Sequence, residues 1–443
     1  MSSDAMGAGT GEVKAAQGLV PNLRFPEFRD AGEWEFKPLH SMAKRKTRRN
    51  ADHEIIRVLT NSAEHGIVDQ KDYFEKDIAV QGNLDSYFVV EEGDYVYNPR
   101  VSSLAPVGPI GKNKVGTGVM SPLYTVFGFE DRDDSFYEHF FRSALWHGYM
   151  RSASNSGARH DRMAISNDDF MAMPVPAPCT GEQQKIANCL SSLDELIAAE
   201  GERLAALGDY KKGLMQQLFP RPERIENGEK IPAETIPRLR FPEFRDAGEW
   251  EWMTVDAIAE IFKGKGISKA DIVADGQRPC VRYGELYTTY GEVIDEVASR
   301  TNVPKRDLFM SRANDVIIPS SGETKIDIAT AACLLRDDIA LGGDLNVIRT
   351  AHDGRFLSYF LNGPLRYSIA KVAQGHSVVH LYPSQIGTLN IAIPSPDEQK
   401  RIADTMFAVD RALVERRHQI VALKAHKSGL MQQLFPSPVE RGA

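Results

Sequence analysis

Asp315, Glu323 and Lys325, in the segment NDVIIPSSGETK, imitate the carboxylate–Glu–x–Lys set with which a nuclease holds a divalent metal against a phosphodiester. The triplet is short and has no counterpart in the first half of the chain, so a strand-end loop with solvated charge is the plainer reading. Other chemistry is scarcer. GPIGKNK at 108–114 has the wrong spacing for a phosphate-cradling loop and lacks its closing Lys-Ser/Thr. No GxGxxG follows a strand-like run, and NPRV at 98–101 lacks the second proline and the aromatic of an adenine-methyltransferase tetrad. The histidines form no HExxH or i,i+4 metal pair. Cys179, Cys189, Cys280 and Cys333 are scattered without a CxxC, which fits a reducing compartment and argues against zinc or disulfides. These residues predict no catalytic centre.

Basic clusters say more. KRKTRR supplies Lys44, Arg45, Lys46, Arg48 and Arg49, and GPIGKNK adds Lys112 and Lys114. The run RSASNSGARHDR supplies Arg151, Asn155, Arg159 and Arg162 around a glycine that lets backbone approach a ligand closely. In the second half KGKGISK places Lys263, Lys265 and Lys269 at the relative position of the first cluster. Ser320, Ser321, Lys325 and Lys371 come next, and QGHSVVH brings Gln374 and His376 to the place of SNSGAR. Lys and Arg neutralise phosphates, whereas Asn, Gln, Arg and His can read base edges. One such cluster alone is more often a solvated surface. Equivalent placement in both halves favours DNA. The net charge of −8 does not exclude it, because a locally basic face can bind phosphates while acids elsewhere cancel the total.

The elements that must position these residues occur twice. LRFPEFRDAGEWE stands at 23–35 and again, unchanged, at 239–251; GLMQQLFP stands at 213–220 and 429–436. Both repeats share an offset of 216 residues, so one unit of leader, variable stretch and helix is used twice. The variable stretches have nearly lost side-chain identity but keep an order. The first holds strand-like runs at 55–60, 87–90, 94–99 and 123–129 and a helical run at 135–154. The second holds strand-like runs at 315–321 and 345–350 and a helical run at 355–373. One scaffold with two surfaces suggests two different things being read.

Proline-rich exits open two long helical signals, 182–219 and 398–435. In the first, Ile186, Leu190, Leu193, Ile197, Leu204, Leu207, Leu214 and Leu218 keep a 4-3-4-3 spacing, broken by Glu200 and Lys211. In the second, Ile402, Met406, Val409, Leu413, Ile420, Leu423, Leu430 and Leu434 do the same, broken by Arg416 and Lys427. Each stripe could bury on its own domain. Alternatively the helices pair with each other, antiparallel, and the unlike charges of Glu200 and Arg416 favour that cross-pair. The register is not readable from sequence.

The exits EQQKIANCLSSLDELI and EQKRIADTMFAVDRAL, the endings KKGLMQQLFP and KSGLMQQLFP, and the doubled leader resemble the conserved regions of type I restriction–modification specificity subunits. The resemblance runs over 21–436. It implies an α+β chain: two mixed α/β target recognition domains, joined by two long helices in an antiparallel coiled coil, with pseudo-two-fold internal repetition. The corresponding boundaries are a flexible lead-in at 1–20, recognition domains at 21–178 and 238–396, helices at 179–220 and 397–436, a linker at 221–237 and a tail at 437–443. It further implies double-stranded DNA as ligand, two modification (methyltransferase) subunits docked on the conserved frame, and restriction (endonuclease/translocase) subunits. Cofactors would belong to those partners: S-adenosylmethionine, with ATP and Mg where the endonuclease is present. A non-catalytic chain is expected. Two other readings stay open, a protein scaffold that no longer reads DNA and an autonomous nuclease using Asp315, Glu323 and Lys325.

Composition bounds this only loosely. A chain of 443 residues, 42% hydrophobic and 26% charged, fits two or three soluble domains. No apolar run approaches the ~20 residues that span a bilayer, and the polar N-terminus lacks a signal-peptide core. A cytoplasmic protein is expected.

Overall fold

The computed structural model describes residues 20–73, 84–130, 134–154, 161–375 and 378–436. The chain forms two compact units, one built from 1–198 with 421–443 and the other from 199–420. The division runs through both long helices, Thr180–Gln217 and Pro396–Leu434, and not at their ends. Each unit therefore holds one variable domain, the start of that domain's own exit helix and the last part of the other. Among the described residues no helix is long and apolar enough to cross a membrane.

In the first unit, Glu35–Pro38 pairs antiparallel with Pro174–Ala177, so that the leader and the exit close one ring of chain. Inside the ring a four-stranded sheet takes the order Ala43–Arg45, Thr125–Phe129, Tyr95–Tyr97, Ile110–Lys112. Its aromatic strands pack on Ser135–Phe141, burying Tyr95, Tyr97, Phe127, Phe136 and Phe140 in one cluster with Trp34. In the second unit the same ring is closed by Glu251–Thr254 and Asn390–Ile393, each pair 216 residues beyond its counterpart. The sheet within takes the order Ala259–Lys263, Leu345–Thr350, Val316–Pro319, Ala332–Leu334, Val293–Ile294. Val316–Pro319 is buried along its whole length, which explains its continuous apolar reading.

The duplicated strings earn their identity in these rings. Arg24 makes a two-pronged ion pair with Glu182 at 2.6 and 2.7 Å, and Arg240 does so with Glu398 at 2.8 Å on both prongs. Both carboxylates are buried. Leu23 N–H donates to the Gln433 carbonyl and Leu239 N–H to that of Gln217, each at 2.9 Å. Thus each leader holds the helix end of the other copy. Phe435, just past the second helix, sits in the first unit's core; Phe219, just past the first, sits in the second unit's core.

All positions of both stripes are buried or half-buried, the polar breaks included. In the second unit Leu204 and Leu207 pack on a core that contains Ile402, Met406, Val409 and Leu413. Lys211 Nζ lies 2.7 Å from Asp410, and Glu200 pairs with Arg416. Numbers rise on one helix as they fall on the other. In the first unit the equivalent pair is Lys427 with Asp194, at 2.5 Å. Tyr359 completes one pair by donating to Asp410 at 2.6 Å, and His139 stands 4.0 Å from Asp194 in the other. The partner residue has changed while the place is kept. Burial, with the Lys427 ammonium second, pushes the His139 imidazole down to about 4.

Some expected elements differ. The helical run at 135–154 is two helices, Ser135–Phe141 and His147–Ala153, because Ser143 Oγ and Trp146 Nε1 take the Phe140 and Phe141 carbonyls. The run at 355–373 breaks at Pro364, which cannot continue a helix, into Gly354–Asn362 and Arg366–Val372. The strand expected at 55–60 runs over Leu59–Ser62 instead; Ile55 is tied in a loop by the Asn50 side chain.

Candidate nucleic-acid interface

The basic residues singled out in the two domains meet different surroundings. In the first domain, much of the charge is already answered. Lys44 pairs with Glu130, and Lys46 lies 2.6 Å from Asp94 and 3.1 Å from Glu91. Arg48 is exposed, 3.8 Å from Glu91. Arg45 is half-buried, with an Nε that meets no partner among the described residues. Lys112 is turned inward onto Asp134, and Lys114 reaches Glu138 at 2.7 Å. Arg49 and Arg151 are exposed. Asn155 and Arg159 lie outside the described residues. Strand pairing, not phosphate contact, explains part of this cluster: Ala43–Arg45 is an edge strand on Thr125–Phe129, and Arg49 bridges Phe88 through its backbone.

In the second domain, Lys263, Lys265, Lys269, Lys325 and Lys371 are exposed, and none has a carboxylate partner among the described residues. Lys263 sits over the Tyr382 ring at 5.8 Å from its centroid. Gly264 holds this loop against the backbone at Gly342, where a Cβ would come within 2.0 Å of a carbonyl oxygen. Gln374 is exposed and forms a small hairpin with His380; His376 lies outside the described residues. Ser320 is buried, its N–H given to the Asp344 carbonyl, while Ser321 is half-exposed in the short strand Ser321–Gly322.

The nuclease-like triplet is not gathered. Asp315 is buried and makes a two-pronged pair with Arg349 at 2.8 and 2.7 Å. It precedes the strand Val316–Pro319, whereas Glu323 lies beyond it, so that the strand's length of about 13 Å separates the two ends of the triplet along the chain. Arg349 in turn lies over the Phe262 and Phe309 rings. Asp315 thus anchors the sheet.

Arg162, half-buried, was singled out in the sequence, but the groove of about 540 Å³ that it lines on the first domain with Gln70, Asn98, Arg100, Ser102 and Tyr124 was not. There Arg100 and Arg162 face each other across an antiparallel bridge. On the second domain sequence reasoning missed Tyr283, Tyr287 and Tyr382, all partly exposed, with the Tyr287 hydroxyl donating to the Ser321 carbonyl at 3.1 Å. Isolated aromatics in loops give no periodic signal. The proline that closes each central strand, Pro99 and Pro319, was the available marker for both places.

Comparison with known proteins agrees with this architecture. A family model described as "Type I restriction modification DNA specificity domain" matches residues 247–423. The type I restriction enzyme MjaVIII specificity subunit of Methanocaldococcus jannaschii is 21% identical over 314 residues, covering 68% of this chain and 69% of that protein. The MjaIX specificity subunit of the same organism is 21% identical over 350 residues, covering 75% and 76%. Among solved structures, the S subunit of a type I restriction–modification system from M. genitalium shares the fold with a TM-score of 0.55 at 14% identity, over 94% of this chain and 99% of that one. A chain from a structural study of complex assembly and conformational transition in the type I system aligns with a TM-score of 0.52 at 14% identity, over 92% and 98%. With the doubled leader, the exit helices and the ring that binds them, these likenesses agree: the chain is similar over most of its length to specificity subunits of type I restriction–modification systems, and residues 247–423 match the DNA specificity domain of that family.

Proposed function

We propose that this chain is the non-catalytic, sequence-reading subunit of a type I restriction–modification complex, in which each variable domain reads one half of an asymmetric bipartite DNA target. The observation that carries the reading is the pairing of sameness and difference. Two identical clamps, Arg24–Glu182 and Arg240–Glu398, hold domains whose exposed loops share almost no side chains. A frame kept constant around changing surfaces suits a reader with exchangeable specificity.

The two long helices form, in this reading, an antiparallel coiled coil that sets the number of unread base pairs. The continuous burial of both stripes and the pairs Glu200–Arg416, Lys211–Asp410 and Lys427–Asp194 support it. A helix of 38 residues measures about 57 Å. That corresponds to about 17 base pairs of duplex, at the ~3.4 Å rise per strand. The invariant frame, repeated twice, would dock two modification subunits. Methyl transfer from S-adenosylmethionine, and any ATP- and Mg-dependent cleavage, would belong to the modification and restriction subunits.

The test is electrophoretic retardation of duplexes by the chain assembled with its modification partner. A subset of sequences should be retained specifically, with affinity falling steeply as salt rises, because neutralised phosphates release counterions. Retardation that is absent or indifferent to sequence would leave the frame as a protein scaffold and reject the proposal.

A further inference from the structure

The central strands Tyr95–Tyr97 and Val316–Pro319 occupy the same place in their sheets, each third in the strand order. The segment leaving each strand is also equivalent. Met163 N–H donates to the Pro99 carbonyl at 2.9 Å, and Leu381 N–H to the Ser320 carbonyl at 3.0 Å. In both domains the residue just past that carbonyl then bridges, antiparallel, the residue just before the donor. The facing residues are Arg100 with Arg162 in the first domain, and Ser321 with His380 in the second. One backbone arm, built twice, presents different pairs.

The surroundings suit a ligand with stacked bases and charged edges. Arg100 is exposed and has no carboxylate partner among the described residues. Arg162 meets Asp161 only at 3.7 Å from Nε, beyond hydrogen-bond length. Both line the groove shared with Asn98 and Gln70. In the second domain His380 is exposed and stacks on Tyr382 at 6.1 Å between centroids, and Lys263 lies over the same tyrosine ring. The Tyr287 hydroxyl pins the Ser321 carbonyl. By contrast, Lys44, Lys46 and Lys112 are occupied by acids of their own domain.

We propose, resting on the reading of the chain as a DNA-specificity subunit, that these two cross-strand pairs are the base-reading pairs: Arg100–Arg162 for one half-site and Ser321–His380 for the other. A guanidinium fork matches O6 and N7 of guanine in the major groove, so the first half-site contains guanine at the positions read. A serine hydroxyl and an imidazole offer single donors or acceptors, so the second half-site differs in composition and is read less stringently per contact. The unpaired lysines Lys265, Lys269, Lys325 and Lys371 serve the phosphates on either side.

The experiment uses the full chain assembled with its modification subunits and a duplex library randomised over both half-sites. The bound fraction is sequenced at two salt concentrations. Arg100→Lys and Arg162→Lys keep charge and bulk but lose the fork. Each should reduce guanine preference at one position of one half-site by about ten- to hundred-fold. The other half-site and the salt dependence should stay as they were. Ser321→Ala and His380→Ala should act only on the opposite half-site. Uniform weakening across all sequences, with the salt slope reduced, would assign these residues to phosphate and overturn the proposal, as would unchanged preferences. Thermal unfolding of each variant at the wild-type temperature excludes a folding defect, and the lysine variants carry the test should an alanine variant unfold. A wild-type complex without any base preference would instead reject the function on which the pairs depend.

Discussion

Replacing Phe435 by alanine should weaken the first unit, although residue 435 belongs to the second copy of the repeat. Its ring is buried among Trp34, Phe136 and Phe140, with centroids 6.3, 5.2 and 6.1 Å away. Truncating a fully buried phenylalanine costs about 3–5 kcal/mol, from lost transfer energy and the cavity left behind. At about 1.4 kcal/mol per factor of ten this is two to nearly four decades in the opening equilibrium of that unit. Amide hydrogen exchange reads it directly, because core strands exchange only through opening of the unit that contains them. Tyr95–Tyr97 and Thr125–Phe129 should exchange faster by that factor, and Val316–Pro319 should not change. Phe219→Ala should do the reverse, since Phe219 packs on Phe356 and Phe360 in the second unit. If Phe435→Ala loosened Val316–Pro319 and spared Tyr95–Tyr97, the reciprocal closure of the two units would be wrong.

Glu182→Gln leaves the nearly buried Arg24 guanidinium without its counter-charge, and should cost the first unit about 3–5 kcal/mol in a denaturant titration; Glu398→Gln should do the same to the second unit through Arg240. Because the His139 pKa is pushed down to about 4 from 6.5, the contribution of neutral His139 is fully present above pH 6.5 and is lost as pH falls towards 4. Thermal unfolding of the wild type and His139→Gln should therefore converge on acidification, by up to about 3 kcal/mol. Glu200→Arg should lower the unfolding temperature by setting like charges together, and adding Arg416→Glu should restore it; no restoration in the double variant would mean the pair is not a contact.

The frame was legible because it is written twice. Identical strings at a fixed offset mark the residues that one clamp requires, and prolines mark the helix ends to within three residues. Periodicity also marked a stripe whose positions are all buried or half-buried, since side chains that repeat every 3.5 residues share one face of a helix. What it faces is a long-range fact. No local pattern says that Phe435 enters the first unit's core and Phe219 the second's, and the 4-3-4-3 spacing fits an own-domain burial equally well. Candidate DNA contacts suffered from the same limit. Lys46 reads as a free cation until the fold brings Glu91 and Asp94 beside it, and Lys112 until Asp134 closes on it. Conversely Arg100, a single basic residue after a proline, gains meaning only from Arg162, which pairing across the arm places opposite it.

Whether each variable domain reads its own half of a bipartite target is decided by exchange. Residues 36–178 would be replaced by the equivalent stretch of another specificity subunit, and the methylated sites of a host carrying the matching modification subunit mapped across its genome. One half-site should change to that of the donor, with the other half-site and the gap between them retained. Both half-sites changing together, or neither, would refute the assignment of one reader to each half.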